Sequence, residues 1–135
     1  MVNSYFDEKG HLKREIFIED AKRLAEKFAN DGLKHTALRH FFQKLRDIEF
    51  KLKRQKCFDS IKDDIYGLVP LAYYQYNRIV NNRRVIPESF KNFIEENVNL
   101  AVKSEENFRG FVEYLKSILA YSKEREETTE GRGRR

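Results

Sequence analysis

The stretch Thr36-Ala37-Leu38-Arg39-His40-Phe41-Phe42-Gln43-Lys44-Leu45-Arg46-Asp47-Ile48-Glu49-Phe50-Lys51-Leu52-Lys53-Arg54-Gln55-Lys56 decides the fold class. Leu38, Phe41, Leu45, Ile48 and Leu52 recur at spacings of 3, 4, 3 and 4, with Phe42 beside them. That is the period of one buried helix face. Thr36 stands where an N-cap hydroxyl would accept a bond from a free first-turn amide. A long amphipathic helix is therefore expected from Thr36 to about Lys56.

Working outward, the same period governs the rest of the chain. Phe17, Ala21, Leu24 and Phe28 predict a helix over about Glu15–Asn30, stopped by Asn30-Asp31-Gly32. Downstream, Ile61, Ile65, Leu68, Ala72, Tyr76 and Ile79 share one face of a segment from about Phe58 to Val80. Gly67 and Pro70 kink or split that segment. The turn Asn81-Asn82-Arg83-Arg84 leads to Pro87, a good first-turn residue for a fourth helix with Phe90, Phe93, Ile94, Val98 and Ala101 inward. Ser104 before Glu105-Glu106 marks the start of a fifth, whose core face is Phe108, Phe111, Val112, Leu115, Ile118 and Leu119. Tyr73 and Tyr76 are expected to help fill a core that has no Trp, with Tyr74 at a surface. The expectation is an all-α, compact bundle of about five helices over residues 1–123, followed by a disordered Glu/Arg/Gly-rich tail over 124–135.

The chain has 135 residues, 27 Lys and Arg against 22 Asp and Glu, and a formal net charge of +5. Eight basic and two acidic residues between Lys34 and Lys56 give +6, more than the whole excess. Four basic and one acidic residue between Arg78 and Lys91 add +3, while two basic and five acidic residues give −3 over Asn92–Glu113. Such concentration points to a polyanion partner. Residues seven apart on a helix nearly eclipse one another. Arg39, Arg46 and Lys53 therefore form one row along the second helix, and Lys44 with Lys51 another along the opposite edge. Arg109, Lys116 and Lys123 repeat the spacing on the fifth. Rows of this kind can follow a phosphate backbone. They can equally be solvated flanks whose stems cover the core rim.

Catalytic constellations are missing. His11, His35 and His40 have no zinc-ligand spacing, and the single Cys57 excludes a disulfide framework. Asp63-Asp64, Glu95-Glu96 and Glu105-Glu106 point to different helix sides, which suits solvated faces better than paired catalytic carboxylates. No glycine-rich phosphate loop is present. Neither cofactor nor metal is expected. The longest uncharged run, Ile65–Asn77, is too short to span a bilayer, and the N-terminal residues contain no apolar signal core, so a cytoplasmic location with no membrane partner is expected.

Three ordered segments resemble a known family. Thr36-Ala37-Leu38-Arg39-His40-Phe41-Phe42, then Pro70-Leu71-Ala72-Tyr73-Tyr74-Gln75-Tyr76-Asn77-Arg78, then Phe108-x-x-Phe111 leading to Ala120-Tyr121-Ser122-Lys123 are similar in order and spacing to the small subunit of type III-A (Csm) CRISPR interference complexes. The resemblance implies a non-catalytic helical subunit for antiviral defence, stacked in several copies against the backbone and large subunits. It further implies binding to the ribose-phosphate of crRNA and target single-stranded RNA without reading bases, with cleavage left to another subunit. Carried over onto matching positions, it singles out Arg39, Arg78 and Lys123. Joined to the basic rows and the Arg78–Arg84 region, the candidate RNA-binding set is Arg39, Lys44, Arg46, Lys53, Arg54, Arg78, Arg83, Arg84, Lys116 and Lys123. Self-association in a stack or dimer is also expected. The other readings of the residues are a helical DNA-binding regulator, a protein-interaction module that binds no nucleic acid and, most distantly, a nuclease.

Overall fold

The computed structural model describes residues 4–122. Lys123 and the tail expected to be disordered lie outside the described residues. The elements follow in the order π-turn Glu15–Asp20, α1 Ala21–Asn30, α2 His35–Gln55, a 3₁₀ turn Phe58–Ile61, α3 Lys62–Tyr66, α4 Leu68–Asn77, β1 Ile79–Val80, β2 Arg83–Arg84, α5 Glu88–Ala101 and α6 Glu105–Tyr121. The all-α expectation holds, with one small hairpin added.

The first helix opens with an excess residue per turn. The amide of Ala21 bonds the carbonyl of Ile16, five residues back, which defines a π-turn. Ile16 and Ala21 are therefore both buried, followed by Ala25 and Phe28, while Phe17 and Leu24 from the expected stripe are half-buried. Gly32, at φ +102, reverses the chain, and the Leu33 amide reaches back to the Phe28 carbonyl at 2.8 Å. This closes the helix in the manner expected of a left-handed glycine.

Burial of Leu33 after that turn sets where α2 begins. The cap position is Lys34, in extended backbone with no side-chain cap, and Thr36 sits exposed inside the first turn. Thr36 is thus not the N-cap. The rest of the α2 expectation holds: Leu38, Phe41, Leu45, Ile48 and Leu52 are all buried. Lys56, at φ 55, ends the helix.

Gly67 divides the third segment into α3 and α4, and Pro70 lies in the first turn of α4. Its missing N–H costs nothing there, because first-turn amides have no partner inside the helix. The chain leaves the helix at Asn77. Ile79, expected on the buried face, is therefore 61% exposed. Asn81 and Asn82, at φ 55 and 65, make a tight turn that pairs Val80 with Arg83 and Ile79 with Arg84. Positive φ at both central residues is the geometry that matches the twist of a two-residue hairpin, and Asn tolerates it.

α6 is the central helix, packed by α1, α2 and α5, while α4 lies on α5. Ser104 caps it, its hydroxyl accepting from the Asn107 amide at 3.0 Å. Phe108, Phe111, Leu115 and Ile118 are fully buried. Tyr5 lays its ring on Gly110, where an added Cβ would sit 2.5 Å from ring carbons. The Tyr5 hydroxyl donates to Asn97 Oδ1 at 2.6 Å, and Asn97 Nδ2 donates to the Phe93 carbonyl at 2.8 Å. A buried polar pair is tolerated when its groups are satisfied in this way. Burial also pushes the Tyr114 hydroxyl up to about 12, and raises that of Tyr5 well above its ordinary range.

Candidate nucleic-acid interface

The two edges of α2 meet different surroundings. Lys51 Nζ lies 2.9 Å from Asp64 Oδ2, and Lys44 lines the same shallow groove with Asp47, Asp63 and Asp64. The acidic start of α3 therefore offsets that edge. On the other edge Arg39, Arg46 and Lys53 are exposed, with Arg54 and Phe50 next to them. Arg46 Nε is 3.2 Å from the half-buried Glu49 of its own helix, a partly exposed pair of modest worth. Its guanidinium lies 5.8 Å from the Phe42 ring, and that of Arg54 lies 5.9 Å from Phe50.

A second basic surface forms where the start of α2 meets the hairpin. A groove of about 560 Å³ is lined by Lys34, Thr36 and Ala37 on one side and by Arg78, Arg83 and Arg84 on the other. The first turn of α2, which has no side-chain cap, borders this groove through Lys34, Thr36 and Ala37. Uncapped amides at a helix start, with cations around them, suit an anion. Asp31 also lines the groove, yet its charge is already engaged. The Ser89 hydroxyl donates to it at 2.6 Å and Lys27 lies 3.4 Å away, and together these hold its carboxyl below the usual carboxylate range.

Arg84 is held by its own neighbourhood. Its guanidinium covers the Tyr76 ring at 4.2 Å and donates to the Tyr76 carbonyl at 2.9 Å. Lys91 lies 5.0 Å from the same ring and 4.5 Å from that of Tyr73. Tyr73 therefore does not fill the core as expected, whereas Tyr76 packs against the core from its edge. Tyr76 is half-buried under cations, and Tyr73 is exposed and donates to Glu95 at 2.8 Å, which raises its pKa. Their bodies still anchor the hairpin, since ring faces attract cations that have lost part of their hydration.

The structure brings three separated segments together at the start of α2. His35 Nδ1 lies 3.1 Å from Ser122 Oγ at the end of α6, while Thr36 and Ala37 share the groove with Arg78. Arg39 is one turn beyond His35, and Lys123 follows Ser122 in sequence. These are the segments Thr36–Phe42, Pro70–Arg78 and Phe108–Lys123. Compared with known protein families, residues 11–128 match the family described as Csm2 Type III-A. The chain belongs to the Csm2 type III-A family. It is accordingly a small subunit of the type III-A Csm CRISPR complex. No curated protein and no solved structure matches the chain.

Within this Csm2-family chain the remaining candidates are dispersed. Lys116 lies on α6, 3.9 Å from Glu113, and is not among the groove residues. Lys53 lies near the far end of α2 from the groove. Lys34 lines the groove, and Lys91 is buried against the two tyrosine rings; neither was singled out by the sequence. Lys34 follows the Gly32-Leu33 stop directly, a signal that it would cap the next helix. Asn81-Asn82 is the corresponding signal for the hairpin that folds Arg83 and Arg84 back toward Tyr76. Among the described residues, no group of three or more His, Cys, Asp or Glu is placed to hold a metal ion, and no helix is long and apolar enough to cross a membrane.

Proposed function

We propose that the chain acts in its Csm complex as a non-catalytic scaffold that holds the ribose-phosphate backbone of crRNA and target RNA without reading bases. The observation that carries this reading is the convergence of Lys34, Arg78, Arg83 and Arg84 on the groove at the uncapped start of α2. Phosphates are met there by forks, a point charge and backbone amides, none of which distinguishes one base from another. Sequence specificity would come from guide pairing, as in other RNA-guided effectors. Other Csm subunits are its partners, and copies of the chain stack beside one another. Arg39, Lys53 and Arg54 extend the track, and Arg46, Lys44 and Lys116 contribute less because acids stand next to them; Lys123 is assigned to the set by its position in the sequence.

The test is direct binding of purified full-length protein to single-stranded RNAs of unrelated sequence over a range of salt. With about four phosphates engaged, log affinity should fall against log salt with a slope near −3, at roughly 0.7 per contact. Affinities that differ widely between sequences, or that ignore salt, would overturn the reading. Equal competition by duplex DNA would favour a DNA-binding role instead.

A further inference from the structure

Phe50 is 65% exposed, the most open large apolar side chain among the described residues. It lies outside the α2 core stripe, so packing does not account for it. Its helix neighbours are mostly cationic: Arg54 one turn on, with its guanidinium 5.9 Å from the ring, Arg46 one turn back, and Lys53, against one acid, Asp47, which accepts from Gln43. Arg46 in turn stands 5.8 Å from Phe42. Two Phe–Arg pairs thus repeat along α2, about 12 Å apart at 1.5 Å per residue.

We infer that Phe50 is a stacking platform for an unpaired base of bound RNA, with Arg46, Lys53 and Arg54 holding the phosphates on either side. The inference rests on the RNA-binding reading and narrows it to single-stranded RNA at this end of α2. A strand supplies both halves of what the surface presents, a π-face for the ring and an anion for each cation. An apolar protein surface over Phe50 would strip water from Lys53 and Arg54 while offering them no partner. A duplex keeps its bases stacked on one another and leaves no face for Phe50.

The experiment compares wild type, Phe50→Ala and Phe50→Trp, all full length, on oligoadenylate and on an abasic strand of equal length. Phe50→Ala should weaken oligoadenylate binding roughly 5- to 150-fold, the range of one lost stacking contact. Its salt slope should stay unchanged because no charge is removed, and its affinity for the abasic strand should equal that of wild type. Phe50→Trp would be the only tryptophan in the chain. It should retain affinity, with fluorescence quenched by oligoadenylate and not by the abasic strand. Unchanged oligoadenylate binding by Phe50→Ala, or an equal loss on both strands, overturns the stacking role while leaving backbone binding in place. Altered self-association with unaltered RNA binding assigns Phe50 to a protein contact and also overturns it. Failure of wild type to bind either strand removes both readings together.

Discussion

The two edges of α2 carry similar charge and have different neighbours. Lys44 and Lys51 face Asp63 and Asp64 across a groove, whereas Arg46, Lys53 and Arg54 surround an exposed phenylalanine. The comparison teaches that a basic row is not a binding surface until the next element has folded beside it. A carboxylate 2.9 Å from Lys51 satisfies that cation within the chain, and leaves it little to offer a phosphate. Arg46 is likewise paired, 3.2 Å from the half-buried Glu49 of its own helix, so the contrast rests on Lys53 and Arg54, which among the described residues have no acid of a neighbouring element beside them.

The strongest way to break this contrast is to reverse each edge in turn. Arg39→Glu/Arg46→Glu/Lys53→Glu should weaken RNA binding at least tenfold and make the salt slope shallower by roughly 2, from three contacts at about 0.7 each. The thermal midpoint should hold, since all three side chains are exposed. Unchanged RNA binding would show the row to be only a solvated flank. An intermediate effect is expected from Asp63→Asn/Asp64→Asn. Freeing Lys51 and removing the acids that share a groove with Lys44 should raise affinity at low salt by roughly 3- to 10-fold and steepen the slope by about 1; no gain would mean that edge faces away from RNA. The smallest effect concerns stability alone. Lys51→Ala should cost no more than about 1 kcal/mol in denaturant unfolding, because the pair with Asp64 is partly exposed on both sides.

Legibility from sequence followed the range of the interactions. The α2 stripe was legible because five apolar residues at helical spacing leave a single solution, and Ser104 because capping is local. The π-turn was not: one inserted residue moves the inward position from Phe17 to Ile16 without changing composition. The hairpin escaped because strands of two residues carry no alternation, although Asn81-Asn82 holds its turn signal. For the candidate site, Arg78, Arg83 and Arg84 were visible as a charge cluster, but their juxtaposition with Lys34 was not, because it depends on the hairpin folding beside the start of α2. The acids beside Lys44 and Lys51 were hidden for the same reason. Phe50 was legible in principle, as an aromatic off the stripe between basic residues.

The seat of Tyr5 on α6 has a consequence for the order of events during synthesis. Its hydroxyl is satisfied by Asn97, 92 residues later, and its ring occupies a slot that exists only because residue 110 is glycine. Neither partner exists when the N-terminal segment leaves the ribosome. At translation rates of about 5–20 residues per second, Tyr5 waits roughly 5–20 s before its place has been made. Tyr5 therefore docks only after α5 and α6 are available, and it locks a bundle whose other helices are already present.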